Sequence, residues 1–99
     1  MEQKIQLIHP AGKKAVSMDI GKYDTLKKAL LNCLRAKGAL SHKEILRAIG
    51  EDFEKNKTKF EGSVEWYMEW VKLDLEARKE IKRLGDESPI KFTVNGKVF

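Results

Sequence analysis

Hydrophobic and polar residues alternate near the start of the chain. Lys4 to Ile8 is a short run typical of a strand. A second run, from Ala15 to Ile20, places its apolar residues on one side: Val16, Met18 and Ile20. The segment between them, His9-Pro10-Ala11-Gly12, has the composition of a turn. The pattern predicts an N-terminal β-hairpin over residues 1–22.

After residue 23 the hydrophobic period changes from that of a strand to that of a helix. The apolar residues then form one stripe: Leu26, Ala29, Leu30, Cys33 and Leu34. Asp24 is a candidate N-cap, which predicts a helix that starts at Thr25. Gly38 is placed to end this helix with a left-handed cap.

A capping box marks the start of a second helix. Ser41 is the capping residue and Glu44 follows it three positions later. The apolar positions of this helix are Ile45, Leu46, Ile49 and Phe53. Because Phe53 keeps the spacing from Ile49, the helix is expected to continue through Gly50. The polar stretch up to Lys59 is expected to end as a loop.

Ser63 is the predicted cap of a third helix, which is expected to end near Arg78. One apolar stripe contains Val64, Tyr67, Met68, Val71 and Leu75, and a second contains Trp66, Trp70, Leu73 and Ala77. Together they cover an arc of roughly 220°, wider than on an ordinary surface helix. Asp74 and Arg78 lie within this arc at a spacing that allows an ion pair. The polar face carries Glu65, Glu69, Lys72 and Glu76.

The C-terminal residues are typical of two strands joined by a polar turn. One strand begins at Ile81, and Ile90, Phe92 and Val94 alternate with polar residues in the other. Pro89 is expected at the end of the turn. Asn95-Gly96 is a strong two-residue turn signal, after which Lys97-Val98-Phe99 is a candidate for a short final strand.

The order of these elements resembles that of the winged-helix superfamily. The motif Leu75-x3-Lys79-x-Ile81-x-Arg83 lies where winged helices end the third helix and start the wing, with Lys79 where many of them have glycine. We therefore expect one α+β domain over residues 1–99, with a winged-helix core at residues 23–94. The long connection from Gly50 to Ser63 departs from the short turn of a helix-turn-helix.

A closer resemblance is to a small family of uncharacterised bacterial winged-helix proteins. It rests on three strings: Lys22-Tyr23-Asp24, Phe60-x-Gly62-Ser63-Val64-x-Trp66-Tyr67 and Val71-Lys72-Leu73-Asp74-Leu75-Glu76-Ala77-Arg78. The leading His9-Pro10-x-Gly12-Lys13 segment is similar as well. This resemblance implies the fold and implies no activity.

The net charge of +5 is unevenly distributed. Residues 1–50 contain ten Lys and Arg against four Asp and Glu, whereas residues 51–99 contain ten against eleven. The basic half is able to attract phosphate, and the alternative is an ordinary lysine-rich surface. A single cysteine and an N-terminus without an apolar signal segment favour a cytoplasmic protein.

Catalysis and cofactor binding are not expected. Cys33 falls on the apolar stripe of the first helix, so we interpret it as a small core residue and not as a nucleophile. His9 and His42 have no partners at metal-ligand spacing. The chain has no glycine-rich phosphate loop. We therefore predict neither an enzyme nor a cofactor or metal site.

Nucleic-acid binding is the function that the winged-helix resemblance favours. The third helix of such a fold enters the major groove. Here the segment from Glu61 to Glu80 contains six acids and three bases, and this excess of acids repels phosphate. The predicted contacts with duplex DNA are therefore one helix residue and three wing cations: Lys72, Lys82, Arg83 and Lys91. The leading hypothesis is a small, regulator-like DNA-binding protein.

Protein association is the alternative hypothesis. Trp66 and Trp70 lie one turn apart on the second stripe and are suited to anchor a partner. In the competing interpretation the N-terminal hairpin covers this stripe through Ile5, Leu7, Val16 and Met18. A hairpin exchanged onto a second chain would instead produce a homodimer.

Overall fold

Three helices and two small antiparallel sheets make up the α+β fold of the computed structural model, which describes residues 3–84 and 90–95. The first sheet pairs β1 with β2, and the second has the strand order β3-β5-β4. The elements in chain order are β1 (Lys4–Gln6), β2 (Ser17–Asp19), α1 (Ile20–Lys37), β3 (Leu40–Ser41), α2 (His42–Lys55), α3 (Val64–Ala77), β4 (Ile81–Leu84) and β5 (Lys91–Val94).

The predicted N-terminal hairpin is confirmed as an antiparallel β1–β2 pair. Ile5 lies opposite Met18, and beyond the strands the amide of Leu7 donates to the carbonyl oxygen of Val16 at 3.1 Å. Gly12 has φ +77° in the connecting turn, a conformation that favours glycine. Leu7 and Met18 are buried, so one side of the hairpin joins the core.

Helix α1 begins five residues earlier than the predicted start, and Asp24 is not its cap. The N-cap is Asp19, whose side chain accepts from the amide of Lys22 at 3.1 Å. The apolar spacing extends back from Leu26 through the buried Tyr23, and this burial favours the longer helix. Because α1 starts at Ile20, the boundary between hairpin and helical core lies before residue 22. At the other end Gly38 has φ +85° and donates to the carbonyl oxygen of Leu34.

The predicted capping box of α2 is confirmed. The Ser41 amide donates to Glu44 Oε1 at 2.9 Å, and the Glu44 amide donates to Ser41 Oγ at 3.3 Å. The backbone hydrogen bond from Ser41 lowers the pKa of the Glu44 carboxyl. The helix continues through Gly50 to Lys55, as the spacing of Ile49 and Phe53 predicted.

Helix α3 and the strands after it also follow the predicted boundaries. Ser63 caps α3 by accepting from the Trp66 amide at 3.1 Å, and the helix ends at Ala77. Lys79 has φ +65°, so it adopts the left-handed conformation that favours glycine. The Asn95 side chain donates to the Lys79 carbonyl oxygen at 2.9 Å and stabilises this reversal.

The alternation of β4 and β5 gives their pair an inner and an outer face. Ile81 and Phe92 are buried on the inner face, and Arg83 lies directly opposite Phe92. Lys82 and Lys91 are exposed and lie on the outer face. The predicted turn at Pro89, the Asn95-Gly96 turn and the predicted strand Lys97–Phe99 reach into residues 85–89 and 96–99, outside the described residues.

The core lies where α1 meets α2, α3 and the inner face of β5. Its fully buried side chains include Leu26, Leu30, Leu34, Ile45, Ile49, Met68, Val71 and Leu75. The predicted stripes of the three helices therefore face one another. Cys33 is half-buried at the edge of this core, and burial raises the pKa of its thiol.

Candidate binding surface on helix three

Lys72 does not lie on the exposed face of α3, and in this respect the prediction was wrong. The residue is only 5% exposed. Its ammonium lies 2.9 Å from His42 Nδ1 and 3.2 Å from Glu69 Oε1, and 4.4 Å from the centre of the Phe92 ring. The first residue of α2 and the inner face of β5 thus enclose this side chain. Lys72 is therefore not on an exposed helix face, where contact with DNA would require it.

The His42 ring lies between Lys72 and Glu65. An ammonium group only donates hydrogen bonds, so His42 Nδ1 must be the acceptor. The other ring nitrogen, Nε2, lies 3.2 Å from Glu65 Oε2. His42 thus links the buried ammonium to a carboxylate at the surface. Sequence spacing gave no sign of this cluster, because 30 residues separate His42 from Lys72.

An open groove of about 660 Å³ lies over this cluster, between the start of α2 and the first turns of α3. It is lined by His42, Ser63, Glu65, Trp66, Glu69 and Lys72. We call it the α2–α3 groove. Two exposed carboxylates and one buried ammonium give its lining a formal charge of −1 when His42 is neutral. The groove therefore favours cations over anions.

The two tryptophans predicted as partner anchors differ in exposure. Trp66 is 49% exposed at the groove, whereas Trp70 is partly buried against the core. Their rings meet edge to face with centroids 6.3 Å apart, and Trp66 meets Tyr67 in the same way at 4.9 Å. These contacts hold the Trp66 ring in place although the residue is half exposed.

A second polar cluster lies at the other end of α3, around the fully buried Asp74. Asp74 Oδ1 accepts from the Ile8 amide at 2.8 Å, and Oδ2 accepts from Arg78 Nε at 2.8 Å and from the Tyr23 hydroxyl. Burial, together with the hydrogen bond to Asp74, raises the pKa of Tyr23, and that same carboxylate raises the pKa of Arg78. The predicted Asp74–Arg78 pair is confirmed, and Ile8 and Tyr23 are additional partners.

The hairpin reaches α3 at this Asp74 cluster. Besides the Ile8 amide, the Gln6 carbonyl oxygen accepts from Arg78 Nη2 at 3.5 Å. Both contacts lie at the C-terminal end of α3, whereas Trp66 lies in its first turn and stays half exposed. The hairpin, which was predicted to cover the second apolar stripe of α3, therefore leaves Trp66 accessible.

The three predicted wing cations occupy different faces. Lys82 and Lys91 are exposed on the outer face of the β4–β5 pair. Arg83 lies on the inner face, where its Nε donates to Glu76 Oε2 at 2.8 Å and its guanidinium lies 5.5 Å from the centre of the Phe92 ring. The structure thus does not bring the four predicted DNA contacts into one surface.

Within residues 3–84 and 90–95, no group of three or more His, Cys, Asp or Glu side chains is arranged to hold a metal ion. None of the helices in these residues has the length and apolar character needed to cross a membrane. The lone thiol, Cys33, donates to the Leu30 carbonyl oxygen at 3.1 Å, within its own helix.

Comparison with known proteins identifies a family but no activity. The chain belongs to a family of unknown function, DUF6958, which matches residues 4–92. No curated protein and no solved structure matches it significantly. Membership of the winged-helix superfamily stays a prediction from the order of the elements.

Proposed function

We propose that this chain is a non-catalytic, cytoplasmic binding protein of the winged-helix type, and that α3 presents its binding surface to another protein. The winged-helix assignment is supported by the order α1-β3-α2-α3-β4-β5 and by the strand order β3-β5-β4. The single observation that carries the choice of partner is the burial of Lys72. Without this cation, the solvent-facing residues of the first two turns of α3 are Glu65, Trp66 and Glu69.

An acidic helix face with a half-exposed tryptophan suits a protein partner better than DNA. Carboxylates repel the phosphate backbone that supplies most of the affinity for DNA. Tryptophan is among the residues most enriched in the energetic centres of protein interfaces. Trp66 is also already held by its neighbours, so its binding would cost little side-chain entropy.

Photo-crosslinking from within the surface tests this proposal. The photoreactive amino acid benzoylphenylalanine replaces Trp66 in one variant and the exposed Lys28 of α1 in a matched control. After irradiation in cells, mass spectrometry identifies the adducts. We expect polypeptide adducts that form from position 66 and not from position 28, and an adduct with a second copy of this chain would identify a homodimer. Position 66 giving the same adducts as position 28 would contradict the proposal.

DNA binding through the outer face of the β4–β5 pair is the second candidate function. The observation that favours it is the exposure of Lys82 and Lys91 on one face of a wing-like strand pair. Arg83 belongs to this candidate only if its pair with Glu76 opens, and Lys72 is not part of it. Two phosphate contacts would give weak binding that depends on salt.

Fluorescence anisotropy of a labelled random duplex tests this second candidate. We expect binding at low salt that weakens at moderate salt, and a several-fold further loss in the double variant Lys82→Glu, Lys91→Glu. The charge-matched control is Lys28→Glu with Lys43→Glu, two exposed lysines on other elements. Flat anisotropy at low salt, or an equal loss in both double variants, would exclude the outer face as the contact.

A further inference from the structure

We propose that the α2–α3 groove binds an arginine side chain from a basic segment of the protein partner. The guanidinium would lie on the Trp66 ring and donate to Glu65 and Glu69. This inference rests on the proposed protein-binding function and names the chemistry of the partner. It follows from three features of the groove, namely its charge, its unused acceptors and its aromatic wall.

The first feature is the sign of the charge and where it lies. The side chains of Glu65 and Glu69 are 62% and 48% exposed, whereas that of Lys72 is only 6% exposed. With His42 counted as neutral, the lining has one negative charge in excess, which lies at the mouth of the groove, and the compensating ammonium is on its floor. One monovalent cation would make the lining neutral.

The second feature is the pair of carboxylate oxygens that the cluster does not use. Among the described residues, the contacts with His42 and Lys72 use Glu65 Oε2 and Glu69 Oε1. Glu65 Oε1 and Glu69 Oε2 remain to accept hydrogen bonds from a ligand. Glu65 and Glu69 lie one helical turn apart, so donors on the two edges of a planar guanidinium can address both.

The third feature is the half-exposed Trp66, which lines the groove together with these carboxylates. A cation over a tryptophan ring is stabilised by the ring quadrupole, and guanidinium stacks on such a surface while its edge forms hydrogen bonds. Lysine offers a point charge that is strongly hydrated and does not stack. A metal ion does not fit, because no three ligands converge among the described residues. These features together select arginine.

Nuclear magnetic resonance with defined peptides tests the inference. The probe is a short glycine–serine peptide that carries two arginines, compared with its lysine and citrulline counterparts. Citrulline keeps the shape of arginine and lacks its charge. We expect the arginine peptide to shift the indole signal of Trp66 saturably, the lysine peptide to bind several-fold more weakly and the citrulline peptide not to bind.

Two variants locate the binding. The double variant Glu65→Gln, Glu69→Gln is expected to weaken binding of the arginine peptide at least tenfold. The control is the double variant Glu51→Gln, Glu54→Gln at two exposed positions of α2, which should leave the affinity for the peptide unchanged. Circular dichroism checks that each variant keeps its fold. Equal binding of the citrulline peptide, equal losses in both variants or no saturable shift of the Trp66 signal would each overturn the inference.

The peptide titration and the photo-crosslinking experiment test different claims, so either claim can be rejected without the other. A specific polypeptide adduct at position 66, combined with no arginine binding, would retain the protein-binding function and reject the arginine. Arginine binding without any specific adduct would support the groove chemistry and reject the proposed function.

Discussion

The two polar clusters of α3 contain similar residues but differ in their contact with solvent. Around Asp74, the carboxylate is fully buried and accepts three hydrogen bonds that join α1, α3 and the hairpin. Around Lys72, the cation is buried and the carboxylates are at the surface. The buried Asp74 carboxylate stabilises the fold, because it is paired with three hydrogen-bond donors. The exposed carboxylates above the buried Lys72 instead leave oxygens that can accept hydrogen bonds from a ligand.

The largest effect on stability is expected from removing the Asp74 carboxylate. Asp74→Ala leaves the Tyr23 hydroxyl and the Ile8 amide without their acceptor, so we expect a loss of about 3 kcal/mol in the free energy of unfolding. Urea denaturation followed by circular dichroism measures it. Glu65→Gln of the cluster around Lys72 is the control, because this side chain is 62% exposed and, among the described residues, pairs only with His42, and it should change stability by less than about 0.5 kcal/mol. Similar losses in the two variants would remove the distinction between the clusters.

The loss of stability at alkaline pH gives a second way to examine the Asp74 cluster. Burial and the hydrogen bond to Asp74 raise the pKa of Tyr23, so the folded state holds this proton more tightly than the unfolded state. Its contribution to stability is therefore complete below the unfolded pKa of about 10 and is lost as pH rises above it.

Tyr23→Phe should accordingly lower stability by about 1 to 2 kcal/mol at pH 7 and remove part of the loss at alkaline pH. Denaturant unfolding at neutral and alkaline pH measures both effects. Tyr67→Phe is the matched control, because the hydroxyl of this half-buried tyrosine accepts from Lys22 and does not donate to Asp74. An alkaline loss in Tyr23→Phe that equals the loss in the unmodified chain would contradict the role given to Tyr23.

The cluster around Lys72 should respond differently to the loss of its positive charge. Lys72→Met replaces a buried cation with an apolar side chain of similar length, so we expect stability to change by no more than about 1 kcal/mol. The groove lining becomes more negative by one charge, and the arginine peptide should bind several-fold more tightly at low salt. The same peptide titration measures this change, and weaker binding would mean that Lys72 does not oppose a cationic ligand.

The aromatic wall of the groove gives a further comparison of stability. Trp66 is half exposed, so Trp66→Ala should destabilise the fold by only about 1 kcal/mol. The partly buried Trp70 is the comparison, and Trp70→Ala should cost about 2 to 3 kcal/mol. Thermal unfolding of the two variants measures the difference. An equal or larger loss in Trp66→Ala would show that Trp66 supports the core.

Local signals in the sequence were enough to predict the helices, whereas contacts between distant residues decided the site. The Ser41–Glu44 box, the Ser63 cap and the stripe of α1 each involve residues within a few turns of one another, and the structure contains all three. Asp24 was the wrong cap because two aspartates five residues apart offer the same local signal. The burial of Tyr23 in the core favours the longer helix that Asp19 caps.

The position of Lys72 shows why the site itself was less predictable. Helical spacing places Lys72 on the polar face, but His42 and Phe92 enclose it from elements 30 and 20 residues away along the chain. The partners of Asp74 are similarly remote, with Ile8 66 residues away. Hydrophobic periodicity indicates which face of an element is apolar. It does not indicate which polar side chains another element will cover.

The exposure of the Lys72 ammonium is the most direct test of the central claim that α3 presents an acidic surface. Brief acylation of the native protein with an amine-reactive reagent, followed by mass spectrometry, compares the modification rates of individual lysines. We predict that Lys72 reacts at least tenfold more slowly than the exposed Lys28, Lys82 and Lys91, and at a similar rate once the protein is unfolded. A Lys72 rate equal to theirs in the native protein would place its charge at the surface and contradict the account.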